Sequence, residues 1–138
     1  MTLEEISDSL PNGFHDTQIK KINLDYANRE ARLDLEIWIG TDSSTKGEDP
    51  DTYRAAQLIL SQLLFCVIEP PDPNYSYQEG KPLWVDAGSS PYTQISTSIR
   101  LPEPLPEGAF IHWFFVNNWN AFIQVAAKNA RLEFLDSQ

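Results

Sequence analysis

From Thr17 the chain reads Thr17-Gln18-Ile19-Lys20-Lys21-Ile22-Asn23-Leu24-Asp25-Tyr26-Ala27-Asn28-Arg29-Glu30-Ala31-Arg32-Leu33-Asp34-Leu35-Glu36-Ile37-Trp38-Ile39-Gly40. Ile22, Leu24 and Tyr26 alternate with Lys21, Asn23 and Asp25. After the polar Ala27-Asn28-Arg29-Glu30, the apolar Ala31, Leu33, Leu35, Ile37 and Ile39 alternate with Arg32, Asp34, Glu36 and Trp38. Successive side chains of a strand point to opposite faces, so this period of two on both sides of a short turn predicts a β-hairpin with one buried face.

Working outward, the C-terminal third reads the same way. Ala109–Val116 is a strand, Asn117-Asn118-Trp119-Asn120 a turn, Ala121–Ala127 a strand, Lys128-Asn129-Ala130 a turn and Arg131–Leu135 a last strand. Leu83-Trp84-Val85-Asp86 and Thr93–Leu101 are further strand candidates, the second ahead of the extended segment that Pro102, Pro104 and Pro106 impose. Tyr53–Pro70 admits two readings. Ala56, Ile59, Leu60, Leu63 and Leu64 keep helical spacing behind a capping Asp51, yet Leu58–Ile68 is apolar on both parities and stops at Pro70-Pro71, as a buried central strand does. A strand from about Ala56 to Glu69 is expected, with a helix as the alternative. Thr2-Leu3-Glu4-Glu5-Ile6 is a capping-box start for one or two helical turns, which Pro11-Asn12-Gly13 ends. Residues 41–52 and 70–82 read as loops. The whole is expected to be a mainly β chain with little helix: a single antiparallel domain, 1–138, of six to eight strands, as a sandwich or an open barrel.

Composition narrows the function classes. Of 138 residues, 20 are Asp or Glu against 10 Lys or Arg, a formal net charge of −10. Phosphate backbones and anionic membrane surfaces would repel such a chain, so neither nucleic acid nor membrane is expected as a partner. No apolar run reaches the roughly 18–20 residues of a membrane-spanning helix. The acidic opening has neither basic nor apolar segments of a secretory signal, which makes the cytoplasm the expected location. A single cysteine, Cys66, leaves no internal disulfide and no cysteine-rich zinc site.

Catalytic candidates are few. His15 stands in Gly13-Phe14-His15-Asp16, where an adjacent carboxylate would make the imidazole more basic. In an extended chain His15 and Asp16 would point to opposite faces, and Asp16 would then simply cap the turn. His112, among Phe110, Ile111, Trp113 and Phe114, is either a hydrogen-bonded core histidine or a base in an aromatic pocket with Glu69 or Asp16 as its orienter. Asp42–Tyr53 fails the calcium-loop template, since Lys46 takes a ligand position and Tyr53 stands where the closing Glu belongs. Ala87-Gly88-Ser89-Ser90-Pro91 lacks a nucleophile elbow, and Cys66 in Leu64-Phe65-Cys66-Val67-Ile68 reads as an inert buried thiol. No metal site and no cofactor are expected. Trp38, on the polar parity of its strand beside Asp34 and Glu36, and Trp119, in an Asn-rich turn, are candidate interface anchors; the alternative for Trp38 is cover by a loop or second layer.

The run Leu10-Pro11-Asn12-Gly13-Phe14-His15-Asp16, then a hairpin, then Leu63-Leu64-Phe65-Cys66-Val67-Ile68-Glu69-Pro70-Pro71-Asp72-Pro73, resembles a group of small uncharacterised bacterial proteins with a Gly-Phe-His-Asp opening and a Glu-Pro-Pro strand end. The likeness covers about half of the chain, and it implies a β-rich fold. The Phe-His-Asp opening before a hairpin is also similar to some immunity proteins of bacterial toxin systems, which are small, acidic and cytoplasmic. The expectation is therefore a non-catalytic protein-binding module, immunity- or inhibitor-like, with a basic protein partner met through Trp38, Asp34, Glu36 and Trp119. The alternatives are a small-molecule or metal-dependent enzyme in which His15, Asp16, Glu69 and His112 converge, and a subunit whose exposed β-edge pairs with its own copy.

Overall fold

A computed structural model describes residues 1–39, 53–75, 79–88 and 105–135. One helix, α1 (Leu3–Ser9), precedes six strands: β1 (Thr17–Asp25), β2 (Glu30–Trp38), β3 (Tyr53–Ile68), β4 (Leu83–Gly88), β5 (Phe110–Val116) and β6 (Ala121–Phe134). They close into an antiparallel barrel in the order β1-β2-β3-β6-β5-β4. The alternating residues of the first hairpin do what their spacing dictates: Ala31, Leu33, Leu35 and Ile37 are buried inside, joined by Leu58 and Leu60 of β3, Val85 of β4, Phe114 and Val116 of β5, and Ile123 and Val125 of β6. Burying each large side chain of this set stabilises by about 1.5–3 kcal/mol, which makes the barrel interior the dominant source of stability.

Tyr53–Ile68 is a strand along its whole length, paired with β2 over Tyr53–Ser61 and with β6 over Ala56–Ile68. Its helical spacing is incidental. Leu58, Ile59 and Leu60 are all fully buried, so both parities of this central strand must be apolar.

The turn expected at Lys128-Asn129-Ala130 is not one. β6 runs straight through it, with Asn129 opposite Ser61 and Ala130 opposite Leu60. The polar interruption instead marks a local distortion of two long strands: Gln62 takes a left-handed φ of 51° and the register slips between Leu63 and Phe65. Lys128 and Asn129 are exposed there without ending the strand. The Thr93–Leu101 strand candidate, the 41–52 loop, Ser89, Ser90, Pro102 and Pro104 lie outside the described residues.

α1 carries the expected capping box, with Thr2 Oγ1 accepting from the Glu5 N–H and Glu5 Oε1 from the Thr2 N–H. It drops Leu3 and Ile6 into the core, and the Ala130 N–H donates to the Met1 carbonyl at 2.8 Å. The seam that closes the barrel is short. β1 meets β4 only over Thr17–Ile19, and from Lys20 to Asp25 its edge away from β2 has no strand partner among the described residues.

Candidate functional site

The turn between α1 and β1 sets the geometry around His15. Its N–H groups fold back on its carbonyls, Gly13 onto Leu10, His15 onto Asn12 and Thr17 onto Phe14. Gly13 has φ +55°, and a Cβ there would meet Ser7 Oγ at 2.6 Å, so the tight passage requires glycine. Phe14 points inward and is 1% exposed, edge-on to both His112 and Phe114 with ring centroids 5.9 Å away in each case. His15 turns outward, its side chain 60% exposed.

Asp16 adopts φ +59°, and this overturns the extended-chain expectation that His15 and Asp16 face apart. Nε2 of His15 lies 3.2 Å from Asp16 Oδ2, while Nδ1 lies 2.6 Å from Oδ1 of Asp86, a residue on the outward face of β4. An imidazole that acts as a general base needs one nitrogen oriented by a partner and the other open to substrate. Here a carboxylate stands at each nitrogen. The arrangement is a clamp that ties the turn to β4. Tyr53, at the same end of the barrel, feels burial first and the charge of Asp16 second, and both hold its phenol above the usual range.

His112 lies on the other side of the barrel wall. It faces the interior between Phe14 and Phe114, is 2% exposed, and has no hydrogen-bond partner at either ring nitrogen among the described residues. Burial pushes its pKa down to about 4, so the ring is neutral near pH 7. Glu69 lies just beyond β3, separated from Asp86 by β5 and β6, where its carboxylate accepts the Phe122 N–H at 2.8 Å. His15 with Asp16 are thus brought together, and neither His112 nor Glu69 joins them. Burial raises the Cys66 thiol to about 11, which leaves it protonated and unreactive at neutral pH. No group of three or more His, Cys, Asp or Glu side chains among the described residues is arranged to hold a metal ion.

The outward face of the first hairpin is built differently. Lys20 Nζ donates to Glu36 at 2.8 Å, Arg32 reaches Glu30 at 2.9 Å and the Gln57 side-chain carbonyl at 3.2 Å, and Gln57 in turn donates to Asp34 at 3.0 Å. Asp34 and Glu36 therefore stand half-buried in a ladder that crosses β1, β2 and β3. Trp38 shares this parity but is only 5% exposed, so the alternative of a covered Trp38 holds and it is not an exposed interface anchor. Trp119 is half-buried on the β5–β6 turn, where with Gln18, Lys20, Lys81 and Leu83 it lines a cleft of about 650 Å³.

Asp86, Lys20 and Gln57 are the participants that sequence reasoning missed, whereas Arg32 was legible as the arginine sharing a face with Asp34 and Glu36. Lys20 stands next to Glu36 once the hairpin register is drawn, so a signal existed for it. Asp86, 71 residues from His15, had none. No protein-family model matches this chain, nor does any curated protein or solved structure.

Proposed function

We propose that the chain is a non-catalytic protein-binding module of the bacterial cytosol, immunity- or inhibitor-like, that takes a basic protein partner on the outward face of β1, β2 and β3. The observation that carries this reading is the ladder Lys20–Glu36 and Glu30–Arg32–Gln57–Asp34. Its carboxylates are already oriented by cross-strand hydrogen bonds, so less side-chain freedom is lost when a partner docks. A partner's arginines would replace Lys20 and Arg32 as counter-charges, and the net −10 of the chain would speed their arrival. The enzyme reading draws less from the geometry. It needs His15, Asp16, Glu69 and His112 in one pocket, and they are divided: His15 and Asp16 meet at the α1–β1 turn, His112 faces the interior, and Glu69 binds the Phe122 N–H beyond β3.

The test is capture of partners on the tagged chain from its host's lysate at low and high salt, read by mass spectrometry, beside two variants. Asp34→Asn/Glu36→Gln removes the carboxylate charges, and Glu107→Gln removes one from the exposed turn before β5. A basic protein retained at low salt, weakened at high salt, lost with the double variant and kept with the Glu107→Gln variant supports the reading. Equal retention by all three chains, or no enriched protein at either salt, overturns it.

A further inference from the structure

The stretch Lys20–Asp25 of β1 is a sheet edge with no strand partner among the described residues. Its side chains alternate. Lys21, Asn23 and Asp25 face outward, while Ile22 and Leu24 face the barrel's inner side; Leu24 remains 38% exposed and Ile22 half-buried. The ammonium of Lys21 has no ion-pair or hydrogen-bond partner among the described residues, in contrast to Lys20, which holds Glu36.

We propose that two copies of the chain pair through this edge, β1 against β1, antiparallel and centred on Asn23. A two-fold axis through Asn23 and perpendicular to the sheet keeps inner faces with inner faces. It sets Lys21 opposite Asp25 of the partner copy, Ile22 opposite the partner's Leu24, and Asn23 opposite itself. Lys21 and Asp25 then each meet an opposite charge, and the half-exposed apolar residues cover one another. Other registers lack this match. Centring on Lys21 puts two ammoniums face to face, and centring on Ile22 leaves Lys21 against Asn23. The bulge at Lys20 and the paired lysines therefore discourage indiscriminate edge pairing while leaving one self-complementary alignment. Asp25 is held in place and ionised by hydrogen bonds from the Asn28 N–H and side-chain amide, and each carboxylate oxygen keeps a lone pair for a second donor. The same alignment sets the tip of the partner's hairpin, at the partner's Tyr26, opposite Lys20, at the cleft that Lys20 lines with Leu83 and Trp119. This pairing uses the edge of β1 and does not rest on the function proposed above.

Sedimentation velocity of the full chain from about 10 to 500 µM spans the affinities expected of so small an interface. The native chain should associate reversibly to a dimer. Lys21→Asp and Asp25→Lys should each weaken that association about tenfold, by setting like charges opposite each other. An equimolar mixture of the two variants should regain native association, because each restores the other's missing partner. Circular dichroism checks that both variants fold. Asn23→Cys gives a reading that needs no charge change: residues directly opposite have Cα atoms about 4.5–5.5 Å apart, within disulfide reach, so mild oxidation should link the dimer covalently. Lys128→Cys, on the exposed part of β6, should gain no such link under the same oxidation, and the native chain oxidised alone controls for the half-buried Cys66. A native chain that remains monomeric throughout, a dimer indifferent to both charge variants, or an Asn23→Cys variant that oxidation fails to link overturns the proposal.

Discussion

His112 meets Phe14 edge-on inside the barrel, ring centroids 5.9 Å apart and planes inclined at 72°. A titratable ring is thus packed as an aromatic hydrocarbon would be, between residues from the α1–β1 turn and from β5. His15, on the same turn as Phe14, does the reverse: it turns outward, with Nδ1 2.6 Å from Asp86 Oδ1 and Nε2 3.2 Å from Asp16 Oδ2. Neighbouring side chains of one turn fasten it twice, to the core and to the outer face of β4.

The first prediction concerns acid. In the unfolded chain an imidazole titrates near 6.5, whereas His112 in the barrel titrates near 4. The folded state therefore prefers the neutral ring, and the unfolded state binds more protons between these values. Stability from this residue is fully present above about pH 6.5 and is lost as pH falls toward 4, by on the order of 3 kcal/mol in total. His112→Leu should remove most of this decline. Urea unfolding at pH 7 and pH 4.5 checks it, and equal declines in the native chain and the variant would show that other groups are responsible.

A second prediction separates the clamp from the core. His15 and Asp86 are both substantially exposed, so solvent screens their contact however short it is. Asp86→Ala should cost at most about 1 kcal/mol of stability at moderate salt. The loss should shrink as salt rises, and amide shifts in a two-dimensional NMR spectrum should concentrate in residues 10–17 and β4. A loss several-fold larger would mean that the clamp holds more than a turn.

Much of the barrel was legible in the sequence because burial there is one-sided. Leu33, Leu35 and Ile37 are inside and Asp34 and Glu36 outside, which is what their alternation says. Legibility fails where a strand is covered on both faces or bent. Ile59 is as buried as Leu58 and Leu60, which erases the alternation of β3, and Trp38 is buried on the parity that its acidic neighbours mark as outer. Lys128 and Asn129 imitate a turn because the facing strand is distorted at Gln62. The candidate site was less legible still. The left-handed backbone of Asp16 is invisible to an extended-chain argument, and the Asp86 partner arrives through tertiary closure of β1 on β4.

A third prediction tests that distortion. Gln62 is exposed with a φ of 51°, a conformation that costs an L-residue roughly 1–2 kcal/mol and glycine almost nothing. Gln62→Val adds branching at Cβ and should lower stability by about 1–2 kcal/mol. Gln62→Gly should be neutral or raise it by under about 1 kcal/mol, part of the relief being offset by the greater freedom of the unfolded chain. Thermal melts of both variants decide the matter: a more stable valine variant would mean that this residue is not left-handed in solution.

The last prediction falls on Phe14 itself. Its ring is 1% exposed and touches both His112 and Phe114, so Phe14→Ala leaves a void lined by rings that cannot collapse toward one another without moving β5. The expected cost is about 3–5 kcal/mol, the upper range for an aromatic core truncation. The same change unfastens the turn from the inside while leaving the His15–Asp86 contact outside. Combining Phe14→Ala with Asp86→Ala should then cost more than the sum of the two, because the surface clamp is the turn's remaining tether once the ring is gone. A double-mutant cycle on unfolding free energies measures this directly. Strict additivity would show that the two faces of the turn are held independently, and that the clamp's role is local to His15.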